Sequence, residues 1–181
     1  VVNIGDYAFV SCSSLMSVTI QSGVTSIGYG MFSHCSNLTS VEIPNSMTSI
    51  GERAFSYCRS LTSIEIPDSV TSIGDYAFSG CWSLTSIEIP NSATSVGDRV
   101  FEDCDSLTNV TIPSSVTSIG SSAFFGCGRL KSLTIPSSVT SIGWGAFYDC
   151  NSLASVRFSG TKELWKSVKR DSLWLRKTQV T

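Results

Sequence analysis

The sequence predicts a mainly β repeat solenoid, one elongated stack of short coils. Three columns of identical residues predict it. Cysteines stand at 12, 35, 58, 81, 104, 127 and 150, glycines at 5, 28, 51, 74, 97, 120 and 143, and phenylalanines at 9, 32, 55, 78, 101, 124 and 147. Every column advances by one constant step, the interval from Cys12 to Cys35. A fixed period of roughly 20–50 residues marks a chain built from one supersecondary unit that cannot bury its apolar face alone.

In register the unit reads L-x-x-I-x-I-P-x-S-V-T-S-I-G-x-x-A-F-x-x-C-x-x, as from Leu61 to Ser83. Leu61, Ile64 and Ile66 begin it, and the alternation of Ile64, Glu65 and Ile66 has the period of two that buries one face of a strand. Pro67 cannot donate to a ladder and ends that strand. Val70-Thr-Ser-Ile73 gives a second short extended piece. Gly74 closes it and is expected to take a turn conformation costly for other residues. Asp75 is then placed to cap a tight helical turn that buries Ala77, Phe78 and Cys81.

Each unit carries eight apolar side chains, too few to offset the ordering of its whole length of backbone. Stability therefore has to come from neighbouring units. Departures from the pattern partly cancel: Ala93 and Val96 are smaller than the usual Val and Ile, while Val100 is larger than the usual Ala. That reads as volume exchange within one core layer. Met31 and Met47 enlarge their positions and can bend to fit. Val1, Ile4, Gly5, Ala8 and Phe9 align with Val24, Ile27, Gly28, Met31 and Phe32, so the first unit lacks its strand half. The expectation is a piece of a longer protein, with apolar surface at its N-terminal end open to end-to-end pairing.

The L-x-x-I-x-I-P, S-V-T-S-I-G and A-F-x-x-C blocks recur in five complete copies between residues 38 and 152. This pattern resembles the BspA-like leucine-rich repeats, a family of cell-surface proteins of bacteria and some protozoa. Phe158-Ser-Gly160-Thr161-Lys-Glu-Leu-Trp165 also resembles the G-T-x-x-x-W segment that closes many family members. The resemblance implies a right-handed leucine-rich repeat solenoid. A parallel sheet would line its concave side, with short strands and helical or 3-10 turns opposite. It divides the chain into an array, 1–158, of about seven turns with the first truncated, and a cap and tail, 159–181. At a strand spacing of about 4.8 Å the array would be roughly 30–35 Å long. Thr161 is expected to cap a short helix bearing Leu164, Trp165 and Val168, with Trp165 covering the last turn. Leu173, Trp174 and Leu175 add a second apolar patch.

Net charge is −2. Residues 1–156 hold five basic and twelve acidic side chains, a net of −7, and residues 157–181 hold seven basic and two acidic, a net of +5. The array repels nucleic acid, because phosphate binding needs a basic face. No run approaches the roughly 18 apolar residues of a membrane helix. The basic tail reads as a solvated helix face.

The cysteines do not read as a metal site, since ligands cluster and these stand one to a turn. Stacked thiols with parallel Cβ vectors lie too far apart for disulfides without distortion. They read as reduced, buried small hydrophobes. The single histidine, His34, has no matching acid after it and reads as a surface loop residue. No cofactor motif occurs, and the chain is not expected to be an enzyme. Ser46, Ser69, Ser92, Ser115 and Ser138 follow each strand, where a hydroxyl can bond backbone groups in the bend. The sequons at Asn37 and Asn109 read as accidental in so Ser- and Thr-rich a chain.

Candidate binding residues fall in two sets. Outward strand positions form the column Thr19, Glu42, Glu65, Glu88, Thr111, Thr134, Arg157, beside a column of serines. Stacked carboxylates repel one another mildly, so the stripe is either a solvated face or a seat for a cation or basic peptide. Aromatic residues at variable positions, among them Tyr57, Trp82 and Tyr148, should lie on loops or the convex side, where such residues anchor interfaces. The resemblance implies an extracellular or cell-surface module for protein interaction or adhesion, with matrix proteins or glycoproteins as partners. The alternative is a rigid structural spacer that displays another domain of a larger surface protein.

Overall fold

The computed structural model describes residues 4–175; Val1, Arg176 and Lys177 lie outside them. Its elements are β1 (Ser17–Thr19), β2 (Ser26–Ile27), β3 (Ser40–Glu42), β4 (Ser49–Ile50), β5 (Ser72–Ile73), β6 (Ser86–Glu88), β7 (Ser95–Val96), β8 (Asn109–Thr111), β9 (Ser118–Ile119), β10 (Ser132–Ile135), β11 (Ser141–Ile142), β12 (Ser155–Phe158), α1 (Lys162–Ser167) and β13 (Lys169–Arg170). All ladders are parallel, and within the array the register step is always one repeat: Ser17 faces Ser40, Ser86 faces Asn109, and Ser132 faces Ser155. The fold is a mainly β parallel solenoid with little helix.

Two strand stacks run along it. The longer strands pair as β1–β3, β6–β8 and β10–β12, and the short second strands pair as β2–β4–β5 and β7–β9–β11, with β13 added to β11. Burial alternates as the period of two predicts: Val41, Ile87 and Val110 point in, flanked by exposed Ser40, Glu42, Ser86, Glu88, Asn109 and Thr111. The core is one continuous column. Phe9, Phe32, Phe55, Phe78, Phe101, Phe124 and Phe147 stack with ring centroids 5.2–5.6 Å apart.

The segment opposite the strands differs from its expected form. It is a run of tight turns rather than helix, and two positions per unit adopt the left-handed backbone region. One set is Tyr7, Gly30, Arg53, Tyr76, Arg99, Ser122 and Gly145; the other is Ser11, His34, Tyr57, Gly80, Asp103, Gly126 and Asp149. Alternating handedness keeps the segment extended enough to build its own ladder. Tyr76, Phe78 and Gly80 N–H donate to the carbonyls of Asp98, Val100 and Glu102 in the next turn. A regular helix would have turned those groups inward along its own axis.

Two local expectations are corrected. The glycine after the second strand is not kept for a left-handed backbone. A Cβ on Gly51, Gly74, Gly120 or Gly143 would lie 2.5–2.7 Å from backbone atoms of the preceding turn, so glycine permits close approach. Asp75 does not cap a helix of its own. Its Oδ1 accepts from Asp98 N at 2.8 Å, one turn on, as Asp6 does from Tyr29 N and Asp98 from Ser121 N.

At the C-terminal end Thr161 Oγ1 accepts from Leu164 N at 3.2 Å, capping α1 as its position predicts. Trp165 packs against Phe158 and Trp174, and Trp174 meets the last phenylalanine, Phe147, edge-on. Phe147 N–H donates to Trp174 C=O, so the terminal segment continues the turn ladder and covers the stack.

Candidate functional site

The expected acidic stripe is present and exposed. Glu42 faces Thr19 and accepts from its hydroxyl at 3.2 Å; Glu88 faces Thr111, and Thr134 faces Arg157. Glu65 sits between Glu42 and Glu88 but on a segment, Ser63–Ile66, that joins no strand ladder. Beside it lies an open groove of about 600 Å³, whose lining includes Ser63, Glu65, Asp68, Ser86, Glu88 and Asn91. Arg157 is not part of that cluster. Three register steps separate it from Glu88, about 14 Å at ordinary strand spacing.

Tyr57, Trp82 and Tyr148 lie on the turn side, so the candidates divide between two faces. Tyr57 stacks on His34 with centroids 4.7 Å apart, and Arg59 lies 4.3 Å from the Trp82 ring. Tyr57 is 37% exposed and Trp82 is 42% exposed. Tyr148, three units beyond Trp82, stacks on Phe125. The structure thus brings Tyr57 and Trp82 into neighbouring turns and leaves Tyr148 apart. His34, exposed as expected, has a ring partner rather than an acid.

One ribbon escaped the sequence reading. Tyr7 meets Tyr29 edge-on at 5.0 Å, Arg53 donates to the Tyr29 hydroxyl and lies 4.5 Å from the Tyr76 ring, and Arg99 donates to the Tyr76 hydroxyl at 3.0 Å. Glu52 and Glu102 flank the two arginines. Its signal was one column read in register, Arg53, Tyr76, Arg99, each planar group lying over the next. Further along the same side, burial holds the carboxyls of Glu102 and Asp103 above the usual range, with Asp105 and Asp149 adding to the shift on Asp103.

The thiols form a second ladder. Cys35, Cys58, Cys81, Cys104, Cys127 and Cys150 are buried and reduced, and each Sγ donates at 3.1–3.3 Å to the carbonyl of a phenylalanine in the preceding turn. Burial pushes the Cys81 and Cys150 thiols up to about 12 and raises Cys58, Cys104 and Cys127 strongly. Such groups carry almost no thiolate at neutral pH. Cys12 alone is exposed. The serine column bonds as expected at Ser46, Ser92 and Ser138, which donate to Val24, Val70 and Val116 carbonyls; Ser69 and Ser115 hydroxyls are buried without a partner. Among the described residues no group of three His, Cys, Asp or Glu is arranged to hold a metal, and no helix is long and apolar enough to cross a membrane.

Stacked coils with a long, shallow, exposed strand face define a leucine-rich repeat scaffold, a class typically without enzymatic activity. The chain matches the family described as BspA type Leucine rich repeat region, in six copies over residues 2–104 and 71–168, and belongs to it. A leucine rich cell surface protein from Faecalibacterium prausnitzii A2-165 is 29% identical, covers 93% of this chain and has a TM-score of 0.58. A leucine rich repeat protein from T. pallidum is 27% identical over 97% of this chain, with a TM-score of 0.63. The pneumococcal vaccine antigen PcpA shares the fold at 22% identity over 86% of this chain, with a TM-score of 0.65. The chain spans 66%, 72% and 43% of those three chains, respectively. No curated protein is similar enough in sequence to count as a match.

Proposed function

We propose that this chain is a protein-interaction module displayed at a cell surface, and that it meets a basic protein or glycoprotein surface through its strand face. The observation that carries the reading is the row of exposed carboxylates Glu42, Glu65 and Glu88 along the strand face of a parallel scaffold. A shallow stripe of one charge suits broad contact and steers a partner of opposite charge. Tyr57 and Trp82, on the other side, offer a second, aromatic contact. Surface location follows the Faecalibacterium relative and the family, and the array catalyses nothing in this reading.

The test is retention of extracellular-matrix proteins and glycoproteins by the immobilised array. At least one should be retained, less so in high salt, and less by the Glu42→Gln/Glu65→Gln/Glu88→Gln variant. Retention that ignores both changes would remove the stripe from the reading. Retention of nothing would favour a rigid spacer that displays another domain.

A further inference from the structure

Neighbouring turns are joined by three backbone ladders, and one boundary lacks two of them. The second-strand ladder is sealed by Thr48 N–H to Thr25 C=O, Thr71 to Thr48, Thr117 to Thr94 and Thr140 to Thr117, and by Gly51 to Ile27, Gly74 to Ile50, Gly120 to Val96 and Gly143 to Ile119. Between the unit Leu61–Ser83 and the unit that follows, neither equivalent forms: Thr94 does not reach Thr71, and Gly97 does not reach Ile73. The strand face is unpaired there too, along Ser63–Ile66. It is also unpaired between β3 and Ser63–Ile66 and between β8 and β10, but at those boundaries the second ladder runs on.

Independent distances agree. Phe78 and Phe101 are the widest pair in the stack, at 5.6 Å, and Cys104 to Phe78 is the longest thiol bond, at 3.3 Å. A Cβ on Gly97 would find the backbone of the preceding turn no nearer than Ile73 O at 3.5 Å, a stand-off shared only by Gly28 against the truncated first unit, while Gly51, Gly74, Gly120 and Gly143 give 2.5–2.7 Å. The cause lies in the sequence. Val100 stands where Ala54, Ala77, Ala123 and Ala146, and the larger Met31, stand in other turns, and its two extra methyl groups over alanine add bulk to this buried layer. Ala93 and Val96 lack the methyl groups that would fill the space. A packing gap too narrow for water remains among Ile73, Ile89, Val96, Val100 and Phe101.

On the turn side the joint is whole: Tyr76, Phe78 and Gly80 keep their bonds to Asp98, Val100 and Glu102 at 2.8–3.0 Å. On the strand side Thr85 to Thr62, Asn91 to Asp68 and Ser92 to Val70 cross it, and just past the second strand Asp98 N–H donates to Asp75 Oδ1 at 2.8 Å. We propose that this boundary is a hinge. Two stiff stacks, residues 4–83 and 84–175, rotate about the intact turn ladder, and the groove between Glu65 and Glu88 opens and closes. The spacing of the acidic stripe is thereby adjustable, whatever it binds.

The test uses paired spin labels on exposed strand-face serines, in a Cys12→Ser background. The pair Ser40→Cys/Ser86→Cys crosses the joint; Ser86→Cys/Ser132→Cys spans an equal stretch of chain without crossing it. The first pair should give the broader, longer-tailed distance distribution. Ala93→Val/Val96→Ile/Val100→Ala should narrow it to match the second, and Val100→Ala alone should narrow it in part if the triple variant fails to fold. Equal widths in the unaltered array, or no narrowing in any folded variant, would overturn the hinge.

Discussion

Replacing Gly74 by alanine puts a methyl group where the preceding turn already stands. Its Cβ would lie 2.5 Å from Glu52 N and 2.8 Å from both Glu52 Cα and Gly51 C. Carbon contacts settle near 3.5–4.0 Å, so relief requires the turns to part by about 1 Å. All three atoms are backbone in a bonded ladder, and no side chain can swing aside. Overpacking costs about 1–3 kcal/mol, and this site belongs in the upper half of that range. For a chain of this size the loss is a fall in Tm of roughly 4–12 °C. Gly97 is the internal comparison. The near atom there is the Asp75 carboxylate oxygen at 2.6 Å, which can rotate away, and the backbone stands off at 3.5 Å. Gly97→Ala should cost less than half as much, through the lost bond to Asp98 N. Gly128, whose Cβ would meet only Gly126 O at 3.9 Å, should tolerate alanine or gain slightly from it. Thermal melts of the three variants by circular dichroism decide the matter. Equal losses at Gly74 and Gly97 would mean the glycine column serves backbone conformation, and the close-approach reasoning would fail.

Two further outcomes follow from the buried groups. A small disulfide reagent should titrate one thiol in the folded chain, Cys12, and the remaining six only on unfolding; a second fast thiol would contradict the sealed column. Burial, then Asp105 and Asp149, raise the Asp103 carboxyl, so between its unfolded and folded pKa values the native state holds more protons than the unfolded one. Stability must then fall as pH rises through that window. Asp103→Asn should melt above the parent protein near neutrality, with the gap closing below the ordinary carboxylate range, about 3.9; a gap that ignores pH would refute this.

The stacking of units was legible because like residues at a constant step leave few alternatives. Phe55 over Phe78 and Cys58 over Cys81 are consequences of the period alone. The inward and outward assignment of Ile87 and Glu88 was equally legible from alternation. What the residues did not disclose was geometry shared between turns. Gly74 looks like any turn glycine until the preceding coil is placed behind it. Asp75 looks like a helix cap until Asp98 N comes within reach. The left-handed positions were hidden because Tyr76, Arg99 and Asp103 occupy them as readily as Gly80 and Gly126, so composition carried no flag. The exchange of volume among Ala93, Val96 and Val100 was visible, but its sum over one layer concealed a mismatch of shape. Of the candidate site, the carboxylate column was readable, while the distance of Arg157 and the split between two faces needed the fold.

Because each coil shows its neighbour a copy of itself, the seams between coils are nearly alike, the one after Leu61–Ser83 apart. Removing or doubling one whole coil would again set ring on ring and thiol beneath carbonyl. Reach becomes a quantity that grows in whole steps, without any new contact having to be invented.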